Sequence, residues 1–182
     1  GRARELTEGA LDALCAESAS PWVLGHTHIF LGGAFFGLGD LERALAEFQR
    51  ALDAYTAAGS AWGRATALGN IAEMYMVWGV ESEALDFARR AQAIAEPGGN
   101  PYLLAHNTYR LAVLLANAGD YDAAQRYQRA SLAYAEQLNY ASGIGLATAS
   151  LGDLAFATGD FPGAAQHFAA AVELHRGAGN WM

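Results

Sequence analysis

The chain has 182 residues, 53% of them hydrophobic and 16% charged, with a formal net charge of −8. That balance excludes a disordered chain and supports a sizeable core. The acidic sign removes the basic footprint that drives binding to nucleic acid or to anionic membrane surfaces. Cys15 is the only cysteine, so no internal disulfide can form, which fits a reducing, cytoplasmic setting. The chain opens Gly1-Arg2-Ala3-Arg4 with neither an initiating Met nor a signal-peptide pattern, and it reads as an excised piece of a longer protein.

In chain order, residues 1–20 come first. Ala10-Leu11-Asp12-Ala13 there echoes Ala51-Leu52-Asp53-Ala54, so this stretch reads as the second helix of an earlier, incomplete unit. Pro21 to Gly39 follows without a single Asp, Glu, Lys or Arg. It is long enough to span a bilayer, and Gly33-x-x-x-Gly37 is a spacing used for helix contact in membranes. His26, His28 and an in-register likeness to three more polar segments downstream argue for a buried helix instead.

That likeness is a repeat of 40 residues. Gly39, Gly79, Gly119 and Gly159 keep the interval, as do Ala44, Ala84, Ala124 and Ala164, and Leu31, Ile71, Leu111 and Leu151. The residues after the last set, Gly32, Ala72, Ala112 and Gly152, are all small. Each unit predicts a first helix, over 26–38 in the first unit and starting from Thr66, His106 and Leu146 in the others. The periodic glycine ends it in a left-handed conformation. Asp40, Asp120 and Asp160 then cap second helices over 41–58, 121–138 and 161–177, and Pro162 suits a first helical turn. The second unit has Val80 at the capping position, with Glu81 or Ser82 as the expected substitute before a helix over 81–96. Small residues at Gly32 and its equivalents and in the alanine column allow the two helices of a hairpin to pack closely. A lone hairpin cannot bury its apolar face, so each unit leans on its neighbours. The units divide as 21–60, 61–100, 101–140 and 141–180. Gly179-Asn180-Trp181-Met182 resembles Gly59-Ser60-Ala61-Trp62, so both ends read as cuts through a continuing array, and oligomers through those ends are a further expectation.

These residues resemble the tetratricopeptide pattern W-x₂-L-G-x₂-Y…A-x₃-F…P. Leu31-Gly32-x₂-Phe35 and Ile71-Ala72-x₂-Tyr75 match its first part, weakening to Leu111-Ala112-x₂-Leu115 and Leu151-Gly152-x₂-Ala155. Ala44-x₃-Phe48 and Ala164-x₃-Phe168 match its second part, whereas the middle units read Ala84-x₃-Ala88 and Ala124-x₃-Gln128. His28, Leu68, Thr108 and Thr148 replace the Trp, and Thr56, Glu96, Glu136 and Arg176 replace the Pro. The period of 40 is similar to a longer-helix subclass found in kinesin light chain, bacterial peptide-pheromone receptors and large ATP-dependent transcriptional activators. Ala67-Leu68-Gly69-Asn70-Ile71-Ala72 carries that likeness best. The resemblance implies an all-α, right-handed solenoid of antiparallel hairpins, about four repeats plus the partial helix, cut from a larger bacterial regulator.

In that family the first helices line a concave groove. The resemblance carries the role onto His26, Ile29 and Phe36 of the first unit and Thr66, Asn70 and Glu73 of the second. His106, Tyr109, Arg110, Val113 and Asn117 follow in the third, and Asp153 in the fourth. A groove of apolar, aromatic and amide groups suits a peptide or an amphipathic helix. Glu73 and Asp153 are expected to meet a basic group of the partner, and Arg110 an acidic one. Trp22 and Trp62, 40 residues apart, are expected to pack between repeats rather than against a ligand.

Patterns for chemistry are weak. Residues two apart on a helix face apart, so His26 and His28 do not share a metal ion. Gly37-x-Gly39 and Gly143-x-Gly145 follow no strand and lack the rest of a nucleotide loop. Glu73 and Asp153 are two units apart, too far for paired acid–base work. The expectation is therefore a protein- or peptide-binding scaffold with no metal, cofactor or enzymatic activity. The alternative is a small-molecule inducer-sensing region of a transcriptional regulator.

Overall fold

A computed structural model describes residues 20–177. The expected partial helix before Ser20, Cys15 and the Gly179–Met182 echo lie outside the described residues. Eight helices follow one another: α1 (Pro21–Gly37), α2 (Leu41–Ala57), α3 (Ala61–Val77), α4 (Glu81–Ala95), α5 (Pro101–Asn117), α6 (Tyr121–Gln137), α7 (Ala141–Ala157) and α8 (Phe161–Gly177). A single 3₁₀ turn, Glu96–Gly98, separates α4 from α5. Odd and even helices pair as antiparallel hairpins, each even helix also packs on the next odd one, and α3, α5 and α7 touch in succession. The result is a solenoid of about four helical repeats.

The turns explain the punctuation. Gly39, Gly79, Gly119 and Gly159 have φ of 77°, 71°, 80° and 84°, a left-handed conformation that costs glycine least. The turns between repeats use the same device at Gly59, Gly99 and, without glycine, Asn139 (φ 51°). The structural period is thus one left-handed residue every 20 positions, alternating between the two kinds of turn.

The second helices begin and end within a residue of expectation. Asp40, Asp120 and Asp160 accept from the backbone N–H of Arg43, Ala123 and Gly163 at 3.3, 3.1 and 3.0 Å. Helix α4 follows Val80 with no side-chain cap. Neither Glu81 nor Ser82 substitutes, because Ser82 donates to the Glu83 carboxylate instead.

The first helices start five residues earlier than expected, at Pro21, Ala61, Pro101 and Ala141 rather than at His26 and its equivalents. Caps account for this in α1, α3 and α5, whereas α7 follows Tyr140 with no side-chain cap. Ser20 and Ser60 accept from the N–H of Val23 and Gly63, and Asn100 accepts from those of Tyr102 and Leu103. Pro21 and Pro101 hold the first helical position, where no N–H partner is needed. Each first helix spans 17 residues, and among the described residues no helix is long and apolar enough to cross a membrane.

The hairpins close through small residues. Ala44, Ala84, Ala124 and Ala164 are at most 2% exposed. A Cβ on Gly152 would lie 2.8 Å from the Phe168 ring, and one on Gly32 would run into the Phe48 ring. Where the first helix has Ala72 or Ala112, the facing residue is the smaller Ala88 or the polar Gln128. In those repeats the aromatic ring stands one position earlier, at Phe87 and Tyr127, packed against the same core. In the first hairpin, Glu47 is buried between His28 Nδ1 at 2.6 Å and Arg50 Nη1 at 2.5 Å, so its carboxylate is hydrogen-bonded from both sides.

Candidate functional site

Helices α3, α5 and α7 present one face on which three hollows run together. The first, of about 230 Å³, lies between α3 and α5 and is lined by Trp62, Thr66, Asn70, Tyr102, Leu103, His106 and Arg110. The second, also about 230 Å³, is lined by Glu73, Met76, His106, Tyr109, Arg110, Val113 and Leu146. The third, of about 370 Å³, lies between α5 and α7 and adds Ala116, Asn117, Tyr121, Ser150, Asp153, Leu154 and Ala157 to Tyr109 and Val113. His106 and Arg110 are shared by the first two, and Tyr109 and Val113 by the last two. These shared side chains join the hollows into one trough across three helices.

Nine of the twelve residues expected to form a groove line this trough: Thr66, Asn70, Glu73, His106, Tyr109, Arg110, Val113, Asn117 and Asp153. The three from the first unit are not brought to it. Ile29 is drawn into the core, against the Phe35, Phe48, Ile71 and Met74 cluster and against Ala51, Tyr55 and Ala67. Its position on α1 faces the next first helix rather than the open face. Phe36 is 36% exposed near the end of α1. His26 sits in an aromatic cluster at the other end. Its ring centroid is 3.9 Å from that of Trp22, and it stacks on Trp62 at 5.4 Å and 14°. Its Nδ1 is 2.9 Å from Tyr55 Oη, and burial pushes the Tyr55 phenol up to about 12. His28 turns instead to Glu47, so the two histidines do face apart. Trp62 packs between repeats on His26 and also walls the first hollow.

The charges differ from expectation in one respect. Arg110 and Glu73, each expected to meet a partner, meet one another across the repeat boundary. Arg110 Nη2 donates to Glu73 Oε2 and Asn70 Oδ1, both at 3.0 Å. Asn70 and Glu73 are three apart on α3 and therefore share a face. Gly69 leaves the space this clasp needs: a Cβ there would lie 3.1 Å from Arg110 Nη1 and 3.0 Å from Asn107 Oδ1. With side chains 21% and 33% exposed, the ion pair is worth about 1 kcal/mol at most. Its main effect is to fix the guanidinium. Asp153 is exposed and pairs with no other described residue, so it is the uncommitted carboxylate of the trough.

Two titratable rings sit among these groups. Burial lowers the His106 pKa from its ordinary 6.5, Arg110 lowers it further, and Glu73 opposes both. The imidazole is therefore neutral at pH 7. Burial raises the Tyr109 phenol, and Asp153 and then Glu73 add to that rise against Arg110. Tyr109 stays protonated, able both to donate and to accept. His106 makes ring contacts with Tyr102 at 4.5 Å and with Tyr140 at 5.7 Å. Sequence reasoning did not place Tyr102 or Tyr121 in the site. Tyr102 follows Trp62 by 40 residues, a signal that would have found it.

The polar groups continue beneath the trough. Asn107 is 2% exposed, and neither atom of its amide has a hydrogen-bond partner among the described residues. Gln128, fully buried, donates to the Ala147 carbonyl at 3.3 Å, and Ser131 donates to the Ala105 carbonyl at 2.8 Å.

A tetratricopeptide-repeat model matches residues 105–138, most of α5 and all of α6. No curated protein sequence matches the chain. Among solved structures, aspartyl phosphate phosphatase F from Bacillus subtilis superposes with a TM-score of 0.85 at 13% identity, over 98% of this chain and 47% of that one. BtubC (BKLC) from P. vanneervenii gives 0.79 at 22% identity, over 100% of this chain and 74% of that one. A Rap protein complexed with competence and sporulation factor gives 0.77 at 18% identity, over 93% and 47%. The chain spans about half the length of the phosphatase and of the Rap protein. At these identities the likeness is one of fold: an all-α, tetratricopeptide-like solenoid of about four repeats, carrying a recognisable tetratricopeptide repeat.

Proposed function

We propose that the α3–α5–α7 trough docks an extended peptide segment of a partner protein, and that the chain is an interaction module of a larger cytoplasmic, bacterial regulator. The continuity of the three hollows carries this reading. A trough across the first helices of three successive repeats fits a segment of several residues better than one compact molecule. Its walls mix aromatic surface with amide, hydroxyl and carboxylate groups, as peptide recognition requires. The small-molecule alternative calls for a closed, dry pocket. The hollows of the trough open to solvent, and the small one beside them, at Ser131, Tyr140 and Gly143, has room for about one water-sized molecule (about 20 Å³). The structural likeness to a Rap protein complexed with competence and sporulation factor adds support from fold alone.

The test is binding to an immobilised decapeptide array, followed by isothermal titration of the selected peptides. Val113→Arg, in the middle of the trough, should abolish titratable binding with the circular dichroism spectrum unchanged. Arg90→Ala, on α4 away from the trough, should leave it intact. Peptide binding indifferent to Val113→Arg would overturn the proposal.

A further inference from the structure

We infer that the trough selects a segment with two anchors: an aromatic side chain in the α3–α5 hollow and a basic side chain held by Asp153 in the α5–α7 hollow. This rests on the docking reading above and names the chemistry of the partner. Asp153 holds the place of Val113, 11 residues beyond Tyr102 in the repeat, which is about 16 Å along the helix axis. With first helices about 10 Å apart and about 3.3 Å per extended residue, the two anchors lie about six residues apart.

The first hollow is charge-neutral and aromatic. Trp62 and Tyr102 hold equivalent places 40 residues apart and are 37% and 48% exposed. Each is steadied from behind by an imidazole, Trp62 by stacking on His26 and Tyr102 by an edge contact with His106. The Arg110 charge is met by Glu73, and His106 is uncharged at pH 7. A neutral ring can lie on such preordered faces with little side-chain entropy lost from the protein. Leu103 supplies apolar surface between them.

The second hollow has the opposite character. Asp153 stands there without a partner among the described residues, flanked by Tyr109 and Tyr121, with Asn117 and Ser150 as further acceptors. The carboxylates outweigh Arg110 in their effect on the Tyr109 phenol, so the local potential is negative. Charge complementarity calls for a cation. An ammonium or guanidinium would neutralise Asp153 and lie against tyrosine faces at once. Glu73 does not compete for it, being occupied by Arg110.

An array of random decapeptides, probed with the full chain and with Asp153→Asn and Val113→Arg variants, tests the inference. Selected peptides should carry Lys or Arg about five to seven residues from Trp, Tyr or Phe. Changing that Lys or Arg to Gln should weaken wild-type binding about fivefold, as expected for one exposed ion pair. Asp153→Asn should weaken the parent peptide by the same factor and should no longer distinguish it from the Gln peptide. Peptides that lose binding in Val113→Arg yet lack a basic residue, or ignore Asp153→Asn, would overturn the two-anchor inference while leaving the docking reading intact. Absence of any Val113-dependent binding would overturn both.

Discussion

Repeats one and four close their hairpins with a glycine against a phenylalanine, Gly32 on Phe48 and Gly152 on Phe168. Repeats two and three use an alanine against a smaller or polar residue, Ala72 with Ala88 and Ala112 with Gln128. The column is the same, and in the central repeats the aromatic ring stands one position earlier, at Phe87 and Tyr127. What changes is character. The outer crossings set a phenylalanine ring on the glycine, with Glu47 buried beside the first and Phe168 37% exposed at the fourth. The central ones lack a ring at that position and hold Gln92, Asn107, Gln128 and Ser131 at no more than 6% exposure. These polar groups lie in the repeats that carry the trough. A repeat array can thus hold its register through small residues while varying what the core contains from unit to unit.

The largest effect on this contrast should come from the shared alanine column. Ala124→Arg would bury a charge in a fully enclosed crossing and cost ~3 kcal/mol or more, read as a large drop in the thermal midpoint; an unchanged melt would contradict the register. Next is Gly32→Ala, which should destabilise by ~1–2 kcal/mol, because overpacking against Phe48 exceeds the helix-propensity gain of about 1 kcal/mol. In a Phe48→Ala background the same change should become stabilising. That reversal in urea titrations is peculiar to the glycine–phenylalanine crossings, and Ala72→Gly should lower stability in any background. At the central crossing, Asn107→Leu should leave stability unchanged or raise it by ~1 kcal/mol, since it removes an amide with no partner. A marked loss would contradict an unpaired amide at this position.

Two smaller effects follow. Val80→Asp would give α4 the cap that α2, α6 and α8 possess and should add ~0.5–1 kcal/mol. The smallest concerns pH. The folded protein resists protonating His106, whose pKa lies below the ordinary 6.5, whereas the unfolded chain takes up the proton. Stability should therefore fall as pH drops through about 6.5. His106→Phe, which keeps a ring beside Tyr102 and Tyr140, should flatten the urea midpoint between pH 7 and 5.5.

The hairpin architecture was legible because the 40-residue register rests on backbone needs: left-handed glycines, Asp caps and small residues at crossings. The early starts of the first helices were missed by following apolar spacing alone, although Ser20-Pro21 and Asn100-Pro101 carried a cap-and-proline signal. Nine of the positions that the tetratricopeptide resemblance assigned to a groove line one trough. The place of Ile29 was not legible, because rotation about α1 decides whether that position meets the core or the open face. The Arg110 clasp was not legible either. It joins positions 37 and 40 residues apart across two repeats, and only the packing of α3 on α5 makes them neighbours.

The most direct test of the central claim is amide chemical-shift mapping of the protein saturated with a peptide selected from the array. The largest changes should fall on α3, α5 and α7, centred on Asn70, His106, Tyr109, Arg110 and Asp153, with α2, α4, α8 and α6 beyond its first turn at Tyr121 little affected. Changes concentrated on those even-numbered helices would contradict it.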